Sequence, residues 1–325
     1  TEQLLSQRGH AWLLQGPSGL GQYELALALA SAWLCEQPTA QGACGHCPSC
    51  HAIAVRTHAD LAVLMPETQM LELGWPLSEK AQSDIDDKKR KPSKEIRVEA
   101  MRDLVEFAQR TDARGRGKAV LVFPAERMNA VTANALLKTL EEPPGDVRFV
   151  LASEAAHQLL PTIRSRCQTH TLAWPDAGEA MDWLAGQGVQ APVAEALLRT
   201  AGGRPEDVLR QSGSGLSPAW WAALPKAMQQ GDAAHLSDLS PAQAVAALQK
   251  LCHDLVLSAS GAEPRFFMSS QLPACTASLM TLTDWFKRLM QSARTAEHPF
   301  NAGLMLEALA NDAQQALTSR DQARA

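Results

Sequence analysis

The sequence predicts an α/β domain built on a parallel, doubly wound sheet, followed by a second half made of helices alone. Three observations lead there. Short continuous apolar runs alternate with helical patterns up to about Leu172, the pattern of strand–helix–strand units. From there to the end, apolar residues recur at helical spacing. The chain has 325 residues, 46% of them hydrophobic, enough for two or three cores.

The strands are expected at Ala11–Leu14, Leu61–Met65, Ala119–Phe123 and Arg148–Ala152, because unbroken apolar runs suit strands buried on both faces. The clearest helix carries Ala133, Leu136, Leu137 and Leu140 on one face and is stopped by Pro143 and Pro144. Beyond Leu172, Pro175–Val208 reads as a small helical unit with a Gly202–Gly203 break, and Gly213–Pro218 as a linker. Ser240 and Pro241 form a helix cap and first-turn pair. Val245, Leu248, Cys252, Leu255 and Val256 then make one apolar stripe, and Leu279, Leu282, Phe286, Leu289 and Met290 a second. A last helix is expected over Asn301–Leu317. Ser83–Lys94, SDIDDKKRKPSK, shows no apolar period and reads as a solvated, mobile loop rather than a DNA contact.

Composition narrows the function. A net charge of −5 argues against a domain that simply coats nucleic acid, since such domains are usually basic. No run approaches the roughly 18 apolar residues of a membrane span, and TEQLLSQRGH lacks the layout of a signal peptide. The expected setting is cytoplasmic, where seven cysteines point to a metal or free thiols before disulfides.

After the first strand comes Gly16-Pro17-Ser18-Gly19-Leu20-Gly21-Gln22-Tyr23. Gly16, Gly19 and Gly21 set the frame of a P-loop, whose glycines let backbone N–H groups face a phosphate. Two positions fail. Gln22 stands where a lysine would reach the β- and γ-phosphates, and Tyr23 where a small hydroxyl would ligate magnesium. The acidic pair expected after the third strand is also missing, because the chain reads Phe123-Pro124 there and Glu126 comes two positions late. ATP hydrolysis by this chain is therefore not expected, while weak phosphate binding by backbone amides stays open.

Cys35, Cys44, Cys47 and Cys50 are spaced C-x8-C-x2-C-x2-C. Four thiolates suit one tetrahedral zinc, and cysteines two residues apart grip an ion in a tight turn. His46 or His51 is near enough to replace one cysteine. A site closed by four protein ligands has no position for substrate, so the zinc would be structural. Cys167, Cys252 and Cys275 read as isolated core or surface residues.

Taken alone, Arg164 and Arg166 of TIRSRC are two solvated charges on a short helix. Taken together, however, GPSGLGQY, NALLKTLEEPP (Asn134–Pro144), RFVLAS (Arg148–Ser153) and TIRSRC (Thr162–Cys167) resemble the clamp-loader branch of the AAA+ ATPases. Within that family, some subunits keep the P-loop lysine and acidic pair. Others carry eroded versions while keeping the Ser-Arg-Cys motif and the zinc, and the chain resembles these. The resemblance implies an AAA+ domain with a zinc module over 1–172, a helical lid over 173–214 and a helical collar over 215–325. It implies that Arg166, next to Ser165, is an arginine finger reaching ATP on a neighbouring subunit. Ser153 would fall at the sensor-1 position, and Glu206 would stand where a sensor-2 arginine is expected. The implied partners are gamma/tau and delta subunits, with the sliding clamp and primed DNA met through the complex, inside a DNA polymerase holoenzyme. The alternatives are an active AAA+ ATPase with an unusual P-loop, revealed by turnover of the isolated chain, and a zinc-dependent DNA-binding module, revealed by salt-sensitive DNA binding.

Overall fold

A computed structural model of the chain describes residues 9–213, 216–274, 277–297 and 301–319. The chain divides into two compact units, Thr1–Ala173 and Trp174–Ala325.

The first unit runs β1 (Ala11–Gln15), α1 (Gln22–Leu34), α2 (Pro48–Ala54), β2 (Leu61–Leu64), α3 (Glu67–Glu72), α4 (Glu79–Asp86), α5 (Val98–Gln109), β3 (Lys118–Val122), α6 (Ala130–Glu141), β4 (Val147–Ser153), α7 (Pro161–Arg164) and β5 (Gln168–Thr171). The five strands form one parallel sheet in the order β2-β3-β4-β1-β5. Side chains alternate across it. Trp12, Leu14, Leu121 and Val150 join the α1 side with Ala26 and Leu29. Leu13, Val120, Phe149 and Leu151 join the opposite side with Met101, Leu104, Leu136 and Leu140. Four of these strands fall where the apolar runs predict. The fifth, QTHT, is a largely exposed edge strand. Its outer side has no neighbour to bury it, so it carries no apolar run to read.

The expected mobile loop over Ser83–Lys94 is corrected. Ser83–Asp86 belong to α4, and the chain after them is held in place. Buried Glu67 accepts Arg90 Nη2 at 2.8 Å and the Ser93 backbone N–H at 2.8 Å. A carboxylate 8% exposed requires such partners. Burial raises the Glu67 pKa, and the hydrogen bonds and charges of Arg90 outweigh it, so the carboxyl lies below its ordinary value.

The second unit is helical: α8 (Ala177–Gly186), α9 (Ala191–Thr200), α10 (Pro205–Gly213), α11 (Pro218–Gln230), α12 (Pro241–Ala259), α13 (Leu279–Thr295) and α14 (Ala302–Thr318). Asp176 with Glu179, and Ser240 with Gln243, form capping boxes that satisfy the first N–H groups of α8 and α12. One buried apolar cluster runs from Ala180 to Leu317. The expected linker is shorter than read: Gly213 ends α10 and Pro218 begins α11, capped by Ser217. The boundary placed at 214–215, like Cys275, lies outside the described residues. Of the α13 stripe, Leu282 and Leu289 are buried beside Trp285, whereas Leu279, Phe286 and Met290 face outward. Among the described residues, no helix is long and apolar enough to cross a membrane.

Candidate functional site

The loop between β1 and α1 turns on two glycines. Gly19 and Gly21 have φ of 84° and 81°, a region that favours glycine, and Gly21 leads into α1. The side chains then close it. Gln22 is 2% exposed, and its Nε2 donates to the carbonyls of Gly16 and Pro17, both at 2.7 Å. The amide where a lysine would extend toward phosphate is thus folded back onto its own loop.

Tyr23 and Phe123 are the residues that the sequence sets against the hydroxyl and carboxylate of a magnesium-binding P-loop. They pack against each other, ring centroids 5.5 Å apart at 35°, and both are buried. Trp75 Nε1 donates to the Tyr23 hydroxyl at 2.7 Å. Burial is the main influence on the phenol and raises its pKa, so it is neutral and offers no anionic oxygen to a cation. Glu126 is occupied as well: Ser153 Oγ donates to Oε2 at 2.8 Å, and the Glu154 N–H donates to Oε1 at 3.1 Å.

Arg166 follows α7, which Pro161 starts and buried Ile163 anchors. Arg164 and Ser165 are exposed and Arg166 is half-buried. The Arg166 guanidinium is held by Glu141, at the C-terminal end of α6, and by the Thr162 carbonyl. The adjoining Cys167 thiol is pushed up to about 12 by burial. It is therefore protonated and unreactive at neutral pH.

The four cysteines come together. Cys35 caps the end of α1, Cys47 caps the start of α2 and Cys50 lies in its first turn. Gly45, at φ 80°, makes the turn between Cys44 and Cys47. All four Sγ atoms lie within 4.8 Å of one another, with three pairs at 3.8, 3.9 and 3.7 Å. Tetrahedral zinc with Zn–S of about 2.3 Å needs sulfurs about 3.8 Å apart, so the donor set fits. The N–H groups of Cys44 and Cys50 donate to the sulfurs of Cys35 and Cys47, at 3.3 and 3.4 Å. Burial raises the Cys47 thiol, but N–H donors from Cys50 and Glu36 and the neighbouring thiols bring it down to about 6. Burial and Cys47 push the Cys50 thiol up to about 12, so the two share one thiolate until a cation joins them. A thiolate is the form that binds a metal. His46 turns its Nδ1 toward the Cys44 carbonyl, and both His46 and His51 are exposed outside the cluster.

A family model described as DNA polymerase III, delta subunit, matches residues 3–175, more than half of the chain. The chain belongs to this family. A DNA polymerase III subunit delta' of Pseudomonas aeruginosa is 40% identical over 213 residues, 65% of this chain and 58% of that one. The delta' subunit of Escherichia coli K12 is 36% identical over 197 residues, 60% and 52% of the two chains. The tau subunit of Escherichia coli K12 is 34% identical over 158 residues, 49% of this chain and 20% of that one. The chain spans little more than half the length of the delta' relatives it matches.

For this DNA polymerase III family member, the sequence located the loop, the cysteines and the arginine, but not what surrounds them. Trp75 and Glu141 went unread. Trp75 sits 52 residues from Tyr23, and Glu141 25 residues from Arg166. Neither pairing has a sequence period to reveal it. Glu141 lies inside the NALLKTLEEPP motif, but the motif does not say which residue it pairs with.

Proposed function

We propose that the chain is a non-hydrolysing delta' subunit of the DNA polymerase III clamp loader, which completes an ATP site on a neighbouring subunit. The observation that carries this reading is the Tyr23–Phe123 pair, an apolar contact filling the place of a magnesium site. With Gln22 also tied to its own loop, this chain supplies neither metal ligand nor phosphate cation. The membership of relatives in DNA polymerase III supports the setting. Gamma/tau and delta are the proposed partners, the completed ATP site lies on a neighbouring gamma/tau subunit, and the sliding clamp and primed DNA are met through the complex.

Arg166 is then the finger. Its planar, permanently charged guanidinium meets phosphate oxygens. A cation offered in trans stabilises the charge that grows on the transferred group, an effect of about 10³ to 10⁵ in rate in known systems. Ser165 shapes the turn that presents it, since its hydroxyl donates to the Thr162 carbonyl at 3.2 Å. Cys35, Cys44, Cys47 and Cys50 would hold one zinc, which when bound cross-links the end of α1 to the start of α2. The lid (173–214) and collar (215–325) divide the helical unit in this reading. The outward face of α13, with Leu279, Met280, Phe286 and Met290 exposed, is an assembly surface.

The test is ATP turnover, alone and in complex. The isolated chain should show none. A complex rebuilt with Arg166→Ala should assemble and turn over more slowly when stimulated by clamp and primed DNA. The loss is partial because only one of several ATP sites borders this chain. Arg166→Lys should recover little, and Arg164→Ala should cost less than Arg166→Ala. Turnover by the isolated chain that disappears on changing Gly21 would overturn the reading.

A further inference from the structure

The guanidinium of Arg166 is held along one edge. Nε donates to Glu141 Oε1 at 2.6 Å, Nη2 donates to the same oxygen, and Nη1 donates to the Thr162 carbonyl at 2.8 Å. Nη1 also lies 3.5 Å from Ser165 Oγ, a weak contact. Arginine has five N–H donors. That leaves one N–H on Nη2 uncommitted and one on Nη1 weakly engaged. Arg166 lines an open pocket of about 390 Å³ together with His10, Leu140, Glu141 and Ser165. Its wall is fixed by a bond of 2.9 Å between His10 Nε2 and the Leu140 carbonyl.

We propose that Glu141 is a positioning residue for the finger: it holds the Nε edge of Arg166 so that the outer N–H groups face a phosphate brought by a neighbouring subunit. The proposal rests on the reading of Arg166 given above. A free arginine side chain spends its time among many rotamers, and each must be given up when it meets an oxyanion. Here the selection is made in advance by one carboxylate and one carbonyl. The pair is a poor stabiliser of the fold, because the side chains of Arg166 and Glu141 are 31% and 46% exposed and solvent screens such pairs. Its consequence is orientation. One Glu141 oxygen takes two hydrogen bonds and the Thr162 carbonyl takes a third from Nη1, so two separate anchors orient the guanidinium and leave one N–H of Nη2 for an incoming oxyanion.

The experiment rebuilds the full complex with Glu141→Ala, Glu141→Asp, Arg166→Ala and the Glu141→Ala/Arg166→Ala double variant. ATP turnover is measured with clamp and primed DNA, after native mass measurement has checked assembly. Glu141→Ala should lower kcat by roughly half or more of the loss that Arg166→Ala causes, with KM for ATP and the melting temperature of the isolated chain unchanged. Glu141→Asp should keep most of the rate, since a carboxylate remains. The double variant should be no slower than Arg166→Ala alone, because Glu141 acts only through that arginine. If Glu141→Ala turns over at the wild-type rate or faster, or if its loss adds to that of Arg166→Ala, the positioning role is wrong while the finger stands. If Arg166→Ala is itself without effect, the finger reading fails and the role of Glu141 fails with it.

Discussion

Lys250, on α12, carries its ammonium 4.8 Å from the centre of the Trp221 ring and 5.8 Å from that of Phe266. Burial, aided by the charge of Arg204 and opposed by Asp207, pushes its pKa from 10.5 down to about 8. The folded form therefore favours the neutral amine more than the unfolded chain does. Between about pH 8 and 10.5 the unfolded chain binds more protons, so this group adds stability as pH rises through that window. Below it both forms are charged and the folded state carries the full desolvation cost. Lys250→Met keeps the contact with both rings and removes the charge. It should raise stability at pH 7 by about 1–3 kcal/mol and flatten the rise above pH 8, as urea melts across pH will show. An unchanged pH profile would mean that the ammonium is better solvated than its burial indicates. Asp254 is the contrasting case: fully buried, it accepts the N–H groups of Arg265, Phe266 and Phe267 at 3.0, 2.7 and 2.8 Å. The chain turn that brings Phe266 to Lys250 is built on that carboxylate.

At the scale of elements, the cysteine module and α13 each lead to an outcome. Freshly purified protein should contain one zinc per chain by elemental analysis. Cys47→Ser should lose it and destabilise the α1–α2 junction without altering residues near Arg166, because the ion would link two helix ends only. Metal-free protein of full stability would end that assignment. On α13, a charge at the 75%-exposed Met280 should leave the isolated fold unchanged, since nothing there is buried, but weaken complex formation measurably by sedimentation. Full assembly with Met280→Glu would place the contact elsewhere. The strands were legible where burial is two-sided, as in KAVLV of β3, and illegible in QTHT of β5, where it is not. The α13 stripe was legible as one apolar face, but sequence spacing does not say how much of that face the chain's own interior covers: Leu282 and Leu289 are buried, while Leu279, Phe286 and Met290 are not. Ser83–Lys94 was misread for a related reason: what fixes Arg90 is Glu67, 23 residues away.

Across the whole molecule, each unit has its own apolar interior. The two clusters flanking the sheet use residues of the first unit only, and the large helical cluster uses residues of the second only. A polypeptide of residues 1–173 should therefore fold alone, with near-native circular dichroism and its metal bound. The full chain should melt in two steps, of which a chelator moves only one. A single cooperative transition shared by both units would show that neither is autonomous. The division of labour was visible in the sequence as the change from alternating runs to helical stripes after Leu172. What the sequence did not disclose is that the helical half is knit by one interior from Ala180 to Leu317.

The Tyr23–Phe123–Trp75 cluster resists substitution one residue at a time. Each member is now needed by the others: replacing Tyr23 with a small hydroxyl residue leaves the Trp75 N–H without its partner and a void against Phe123. Such a change costs on the order of 1–3 kcal/mol for the orphaned donor alone, before the lost ring contact is counted. Exchanging Phe123 for a carboxylate first would instead bury an unpaired charge against an aromatic ring. Building a metal site at these two positions would therefore pass through less stable intermediates, since neither substitution alone supplies both ligands. Its members hold one another in place, so a mutational library that changes these positions one at a time should be dominated by poorly folded clones.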